Sequence, residues 1–401
     1  MHRGTSTVSD RPVPEAPGHR ARIDQRGHGR CLAVALALVA SSLFAAVSAS
    51  PAYAATSTMA YVANSGTGTI SVINTATNTV VNTIALNKGP NFAGLSDLAA
   101  APNGSRIYVA VGQAEPFSGR LYAIDTATHA IVSTLVVPHN PAGMAINPTG
   151  TRLYVTESTG RSVAVVDTRK NKVLATVLVG DNPGGVAVTP DGAHVYVANG
   201  EFDNPYPDPY PAPGTVSVID TATNTVTATL QTTPRATGVA ISRDGTRAYV
   251  TSRNFYPCCG TEGTVTVIDT ATNDILATVV VANEASGVAV SPDGRRVYAT
   301  ITGPPEYDGT LAGTLRVIDT ATNTLDKSLD TPVGNQPLRV ALTPDGTRAY
   351  VTNFNSSIDQ VTVLDTTRVL PGGGFPVVAS LHTEDGALPI GVLVISCRRC
   401  A

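Results

Sequence analysis

From residue 59 onward the chain is a succession of short apolar runs broken by polar turns, and no helical periodicity of convincing length interrupts them. One stretch shows the pattern. Gly185-Val186-Ala187-Val188 is an apolar strand, and Pro190-Asp191-Gly192 is its turn. Val195-Tyr196-Val197-Ala198 follows, then Thr215–Ile219 with the alternation of a half-buried strand. Asp220-Thr221-Ala222-Thr223-Asn224 makes a second turn, and Val226–Leu230 closes the unit. An Asp-Gly pair suits a hairpin because the turn must accept positive φ. In the second turn, Asp, Thr and Asn side chains satisfy backbone groups that the strands leave free. Pro190 stands before its turn, where no ladder donor is needed. The unit is expected to be a four-stranded antiparallel meander.

The same four segments recur around Tyr61, Tyr108, Tyr154, Tyr196, Tyr249, Tyr298 and Tyr350, at intervals of 47, 46, 42, 53, 49 and 52 residues. Units of this length, each with four short strands, are the blades of a β-propeller. A lone meander exposes two apolar faces and must stack on neighbours. A parallel β-helix has shorter rungs and lacks two distinct hairpin turns, and an open row of sheets would leave its end faces bare. The termini set the blade count. Met59–Ala63, Thr69–Asn74 and Val80–Ile84 lack an innermost strand, and residues 390–395, followed by no Tyr-Val strand, supply one. The expectation is an all-β, seven-bladed propeller over residues 55–396. Strand 390–395 closes it by joining the N-terminal strands 59–84, covering edges that invite aggregation.

Composition changes the picture at the ends. Residues 1–30 are polar with six Arg, Leu32–Val47 is apolar, and Ala52-Tyr53-Ala54 has the A-x-A form of a cleavage site. That order is the order of a secretory signal, so residues 1–54 are expected to be a signal peptide with a long polar leader. A retained anchor is the alternative, though the run is short and ends in Ser, Pro and Ala. The protein is therefore expected to be secreted or held at the cell surface. Without this segment, six of the 27 basic and three of the 30 acidic residues are gone, which leaves a formal charge of −6. No later run reaches the roughly 18 apolar residues of a membrane helix. Mild acidity without a basic stripe argues against nucleic acid. A monomer is expected.

Tyr350-Val351-Thr352-Asn353 has close variants at Tyr61–Asn64, Tyr196–Asn199 and Tyr249–Ser252. With the Pro-Asp-Gly and Ile-Asp-Thr-Ala-Thr-Asn elements, it resembles the YVTN family of β-propeller repeats over essentially the whole chain after residue 54. The resemblance implies the fold. For function it implies several classes at once, because similar propellers include archaeal surface-layer domains, lactonase-like enzymes and repeats like those of quinoprotein or nitrite-reductase haem-domain propellers. The shared residues are structural, so no catalytic set comes with them.

Propeller topology sorts the connections by face. With strands A to D counted outward from the axis, the short Pro-Asp-Gly and Asp-Thr-Ala-Thr-Asn turns lie on one rim. The insertions Gly112–Ser118, Gly200–Pro213, Arg253–Glu262 and Thr302–Ala312, all B–C loops, lie on the other. Long loops above a rigid ring are where recognition is expected, with neutral drift as the alternative. Residues 201–211 interleave Asp203, Tyr206, Asp208 and Tyr210 with proline, and Tyr307 repeats the theme more weakly. Proline stiffens such a loop, which presents its tyrosines at low entropic cost to a sugar or peptide. Calcium is a further candidate at those carboxylates, although no regular calcium loop is present. The D–A loops, of consensus Gly-x-Asn-Pro-x-Gly as in Gly180–Gly185, converge on the central channel. Their departures are ionisable: His139, Asp181, Arg235, Glu284, Arg339, and the cluster His382, Glu384 and Asp385. Arg235 and Arg339 are suited to a carboxylate, and Glu284 or His382 to a general base. A solvated mouth with ordinary ion pairs is the competing reading.

The four His after residue 54 are split between the rims, so a three-histidine zinc site is not expected, and the C-x-x-C-H haem signature is absent. Cys258, Cys259, Cys397 and Cys400 are even in number, as in many exported proteins. Two local bonds, Cys258 with Cys259 and Cys397 with Cys400, are expected over cross-pairing through the ring's thickness; residues 397–401 read as a short Cys-containing tail, either a terminal clasp or a tag-like flexible end. The leading functional expectation is an extracellular binding protein for a small molecule, glycan or protein, using the long-loop face. The alternative is a lactonase-like hydrolase or lyase at the channel mouth, acting through Arg235, Glu284, Arg339 and His382.

Overall fold

The computed structural model describes residues 57–86, 91–114, 118–200, 213–253, 262–282, 284–305, 311–356 and 360–397. They form seven antiparallel sheets. Blade 1 joins the C-terminal strand Pro389–Cys397 to Ser57–Asn64, Thr69–Asn74 and Thr79–Ala85, with Tyr61 opposite Leu393 and Ser57 opposite Cys397. The closing strand is longer than expected, and Cys397 belongs to it. Blades 2 to 7 follow in chain order, with innermost strands Phe92–Ala100, Pro141–Ile146, Pro183–Val188, Ala236–Ile241, Glu284–Val290 and Pro337–Leu342. These strands and Pro389–Cys397 touch one another in a closed cycle.

The core lies between blades. Seven apolar clusters each join the facing sides of two neighbours, such as Tyr154, Val163 and Val165 of blade 3 with Val186, Val195 and Val197 of blade 4. The middle strands are buried on both faces. The outermost strands alternate between exposed and half-buried positions, as Thr225–Gln231 does along its full length. That is the arrangement a two-faced apolar meander requires.

The repeated motif residues have separate tasks. The Tyr196 hydroxyl donates to Asn273 Oδ1 (2.7 Å), and the Tyr350 hydroxyl to Asn78 Oδ1 (2.8 Å), each tying a blade to the outer turn of the next. The Thr251 hydroxyl accepts the Gly238 N–H (2.9 Å) and donates to the Ser286 carbonyl of the next blade (2.7 Å). The Asn199 amide staples the second strand to the third through Thr215 and Ser217. On the plain rim, Asp220 Oδ1 accepts from the N–H groups of Ala222 and Thr223, and Asn224 turns the chain at φ 55°.

Some expected loops are partly strand. Arg296–Pro305 and Leu311–Asp319 pair as far as Pro305 and Leu311, and Gly112 pairs with Gly119, because the hairpins continue past the sheet before opening. In blade 6 the outermost strand is broken into Thr324–Leu325 and Thr331–Val333 by a 3-10 turn at Lys327–Leu329.

Candidate functional site

A cavity of about 440 Å³ occupies the channel mouth on the rim of the B–C and D–A connections. Each blade contributes one inner-strand residue to a rung around it: Ile390, Ser96, Ala142, Gly184, Thr237, Ser286 and Leu338, from blade 1 to blade 7. The inner strands carry a bulge here, as between Pro183 and Val186, which turns this residue toward the axis.

Three guanidinium groups line the cavity: Arg235, Arg253 and Arg339. Arg235 ends a D–A loop at φ 60°. Asn182 and Gln336 hold the same position at φ 46° and 50°, so the left-handed conformation belongs to the fold, and Arg235 is a side chain substituted onto it. Arg253 directly follows the second strand of blade 5, and its N–H donates to the Arg235 carbonyl (3.0 Å). Its Nε and Nη2 both donate to Ser286 Oγ of blade 6, at 2.9 and 2.6 Å. Burial presses the Arg253 pKa down; Glu284 opposes that effect, and Arg339 and Arg235 add to it. Glu284 begins the inner strand of blade 6. Burial raises its carboxyl above the usual range, against the pull of Arg253 and Arg235.

One residue deeper, five blades hold glycine: Gly143, Gly185, Gly238, Gly287 and Gly391. A Cβ on Gly185 would stand 2.5 Å from the Thr237 carbonyl oxygen and 2.8 Å from Gly238 Cα. The other two blades carry Asp97 and Arg339 at this level. Asp97 Oδ2 accepts the Met144 N–H of blade 3 (2.8 Å). Protein surrounds its carboxyl, although the residue as a whole is only half-buried. Burial raises its pKa, opposed first by Arg339 and then by the N–H groups of Met144 and Leu98.

Of the residues expected from sequence, Arg235 and Arg339 line the cavity, and Glu284, itself outside the lining, lies within electrostatic reach of Arg253 and Arg235. His382 is outside the lining; its Nε2 meets Asp385 Oδ1 at 3.1 Å on the exposed rim. Glu384 accepts from the Thr69 hydroxyl (2.6 Å), and the His139 ring lies against Gly160. Asp203, Tyr206, Asp208, Tyr210, Cys258, Cys259, Tyr307 and Cys400 lie outside the described residues. Sequence reasoning did not single out Arg253, Ser286, Asp97, Leu338 or Ile390. Register among the repeats gives Asp97 away, because it stands where five units have glycine.

Among the described residues, no group of three or more His, Cys, Asp or Glu is placed to hold a metal ion. Three guanidinium groups disfavour a cation at this mouth.

The family profile described as the SMP-30/gluconolactonase/LRE-like region matches residues 40–254, more than half of the chain. A second profile, the cytochrome D1 heme domain, matches residues 210–371, a stretch with neither His nor Met to offer iron. No match to a curated protein was found. Among solved structures, Kuenenia stuttgartiensis hydrazine synthase is similar, with TM-score 0.59 and 21% identity over 70% of this chain and 80% of that one. A functionally unknown protein from Desulfotomaculum acetoxidans DSM 771 superposes with TM-score 0.62 and 17% identity, covering 84% of this chain and 98% of that chain. At such identities these two speak to the fold alone. No helix among the described residues is long and apolar enough to cross a membrane.

Proposed function

Because the chain belongs to the SMP-30/gluconolactonase/LRE-like family, we propose that it is a hydrolase of small lactones or esters, with its site at the channel mouth. Glu284 is the general base. It takes a proton from water as the water oxygen adds to the carbonyl carbon. Arg253 and Arg235 hold the oxygen on which charge develops. Collapse of the adduct breaks the ring C–O bond, and the proton held by Glu284 passes to the departing alkoxide, giving a hydroxy acid. The observation that carries this reading is Glu284 itself, a half-buried carboxyl with a raised pKa, within electrostatic reach of Arg253 and Arg235, which line a ligand-sized cavity.

The finer resemblance to YVTN repeats belongs to the same proposal, as does export through the leader at residues 1–54. So does a disulfide between Cys397 and Cys400. Binding through the long-loop face rests on segments outside the described residues, and the family favours the hydrolase.

Acid release by the purified protein over a panel of lactones and esters tests the proposal. A rate that rises with pH through the ionisation of Glu284, above the ordinary carboxylate range, is expected. The variant Glu284→Gln should lose about 100-fold or more in kcat with its fold intact. Wild-type rates in that variant, or no hydrolysis across the panel, would overturn it.

A further inference from the structure

The ring around the cavity is lopsided. Blade 5 places Arg235 and Arg253 on one arc, and Ser286 of blade 6 is already bonded to Arg253. Blades 7, 1 and 2 are consecutive around the closed ring, and they contribute the large apolar side chains Leu338, Ile390 and Leu95, with Arg339 one residue deeper beside Leu338 and Ser96 beside Leu95. Ala142 and Gly184, on blades 3 and 4, leave the width between these arcs open. The polar side chains of the wall are three arginines, Asn182 and four hydroxyls. Of the four lining hydroxyls, Ser158 donates to the Asn140 carbonyl, Thr237 bonds Thr251, and Ser286 takes both Arg253 donors.

Resting on the hydrolase reading of this site, we infer that its ligand is amphipathic. It is a lactone or carboxylate bearing an alkyl or aryl substituent, with its oxygens on the arginine arc and its apolar part against Leu338, Ile390 and Leu95. A sugar lactone would forfeit the apolar arc.

Binding of product-like carboxylates separates this inference from the chemistry. The full chain is titrated calorimetrically with butanoate, hexanoate and octanoate, and with gluconate for comparison. Affinity is expected to rise about fourfold per added methylene until the arc is filled, with gluconate weaker than octanoate. Leu338→Asn should flatten the chain-length dependence, whereas Glu284→Gln should keep it. The wild-type series decides the ligand class even where a variant does not fold. Equal affinity along the series, or gluconate binding as tightly as octanoate, overturns the inference. A rising series without hydrolysis of any lactone supports the ligand class and overturns the hydrolase.

Discussion

Replacing Arg339 by Met removes the charge that opposes the raised pKa of Asp97 inside the channel. Asp97 keeps the Met144 N–H at 2.8 Å, and the residue is only half-buried. The loss at pH 7 should therefore fall below that of a fully buried broken pair, at about 1–3 kcal/mol. The sign of the pH dependence follows from the raised pKa. A carboxyl that binds its proton more tightly in the folded state costs stability as pH rises above its unfolded value, near 3.9, toward the folded one. Removing Arg339 raises the folded pKa further, so the penalty is largest at neutral pH and shrinks as pH approaches about 4. Asp97→Asn should relieve it, leaving the double variant more stable at pH 7 than Arg339→Met alone. The chain has no Trp, so urea unfolding is best followed by far-UV circular dichroism. A loss of the same size at both pH values, or single effects that simply add, would refute the coupling.

Two further outcomes test the ring itself. Gly185→Ala drives a Cβ into the backbone of blade 5 and should cost about 1–3 kcal/mol, whereas Gly372→Ala, with nothing within 4 Å, should be near neutral in the same denaturation assay. His129 replaces the turn asparagine in blade 2, meets Tyr61 edge-on with ring centroids 6.5 Å apart, and has its pKa lowered chiefly by burial. Its contribution is complete above the unfolded value, near 6.5, and is lost as pH falls from there toward the folded value, so His129→Asn should flatten the thermal-stability profile between pH 7 and pH 5.

The fold was legible because its signals are local and repeated. An Asp-Gly turn or an Asp-x-x-x-Asn turn states its own backbone conformation, and seven copies of a two-faced meander leave few ways to cover every face. The site was legible only where a residue breaks a short consensus, which is why Arg235, Glu284 and Arg339 stood out. Asp97 breaks a rule too, but Phe92–Ala100 lacks the Asn-Pro step and contains two register shifts, so the repeat is hard to align there. Leu338 and Ile390 look like ordinary strand residues in one dimension; only the bulge and the closed ring turn them to the axis. Arg253 reads as the first residue of a long loop, and its tie to Ser286 comes from the neighbouring blade. His382 broke the consensus as clearly as Arg235 did. It has a partner of its own three residues on, in Asp385.

The pairing of Ser57–Asn64 with Pro389–Cys397 sets an order of events in time. The two strands meet across 340 residues, so the first strand made waits for the last. Until then six blades can stack in sequence while blade 1 keeps an open inner edge, able to pair with another chain. Loop-closure entropy grows only logarithmically with length, so the wait weighs little on final stability. Its cost is kinetic: closure is a late, long-range step, and the unclosed chain is the species most exposed to proteolysis and to misassembly with its own copies.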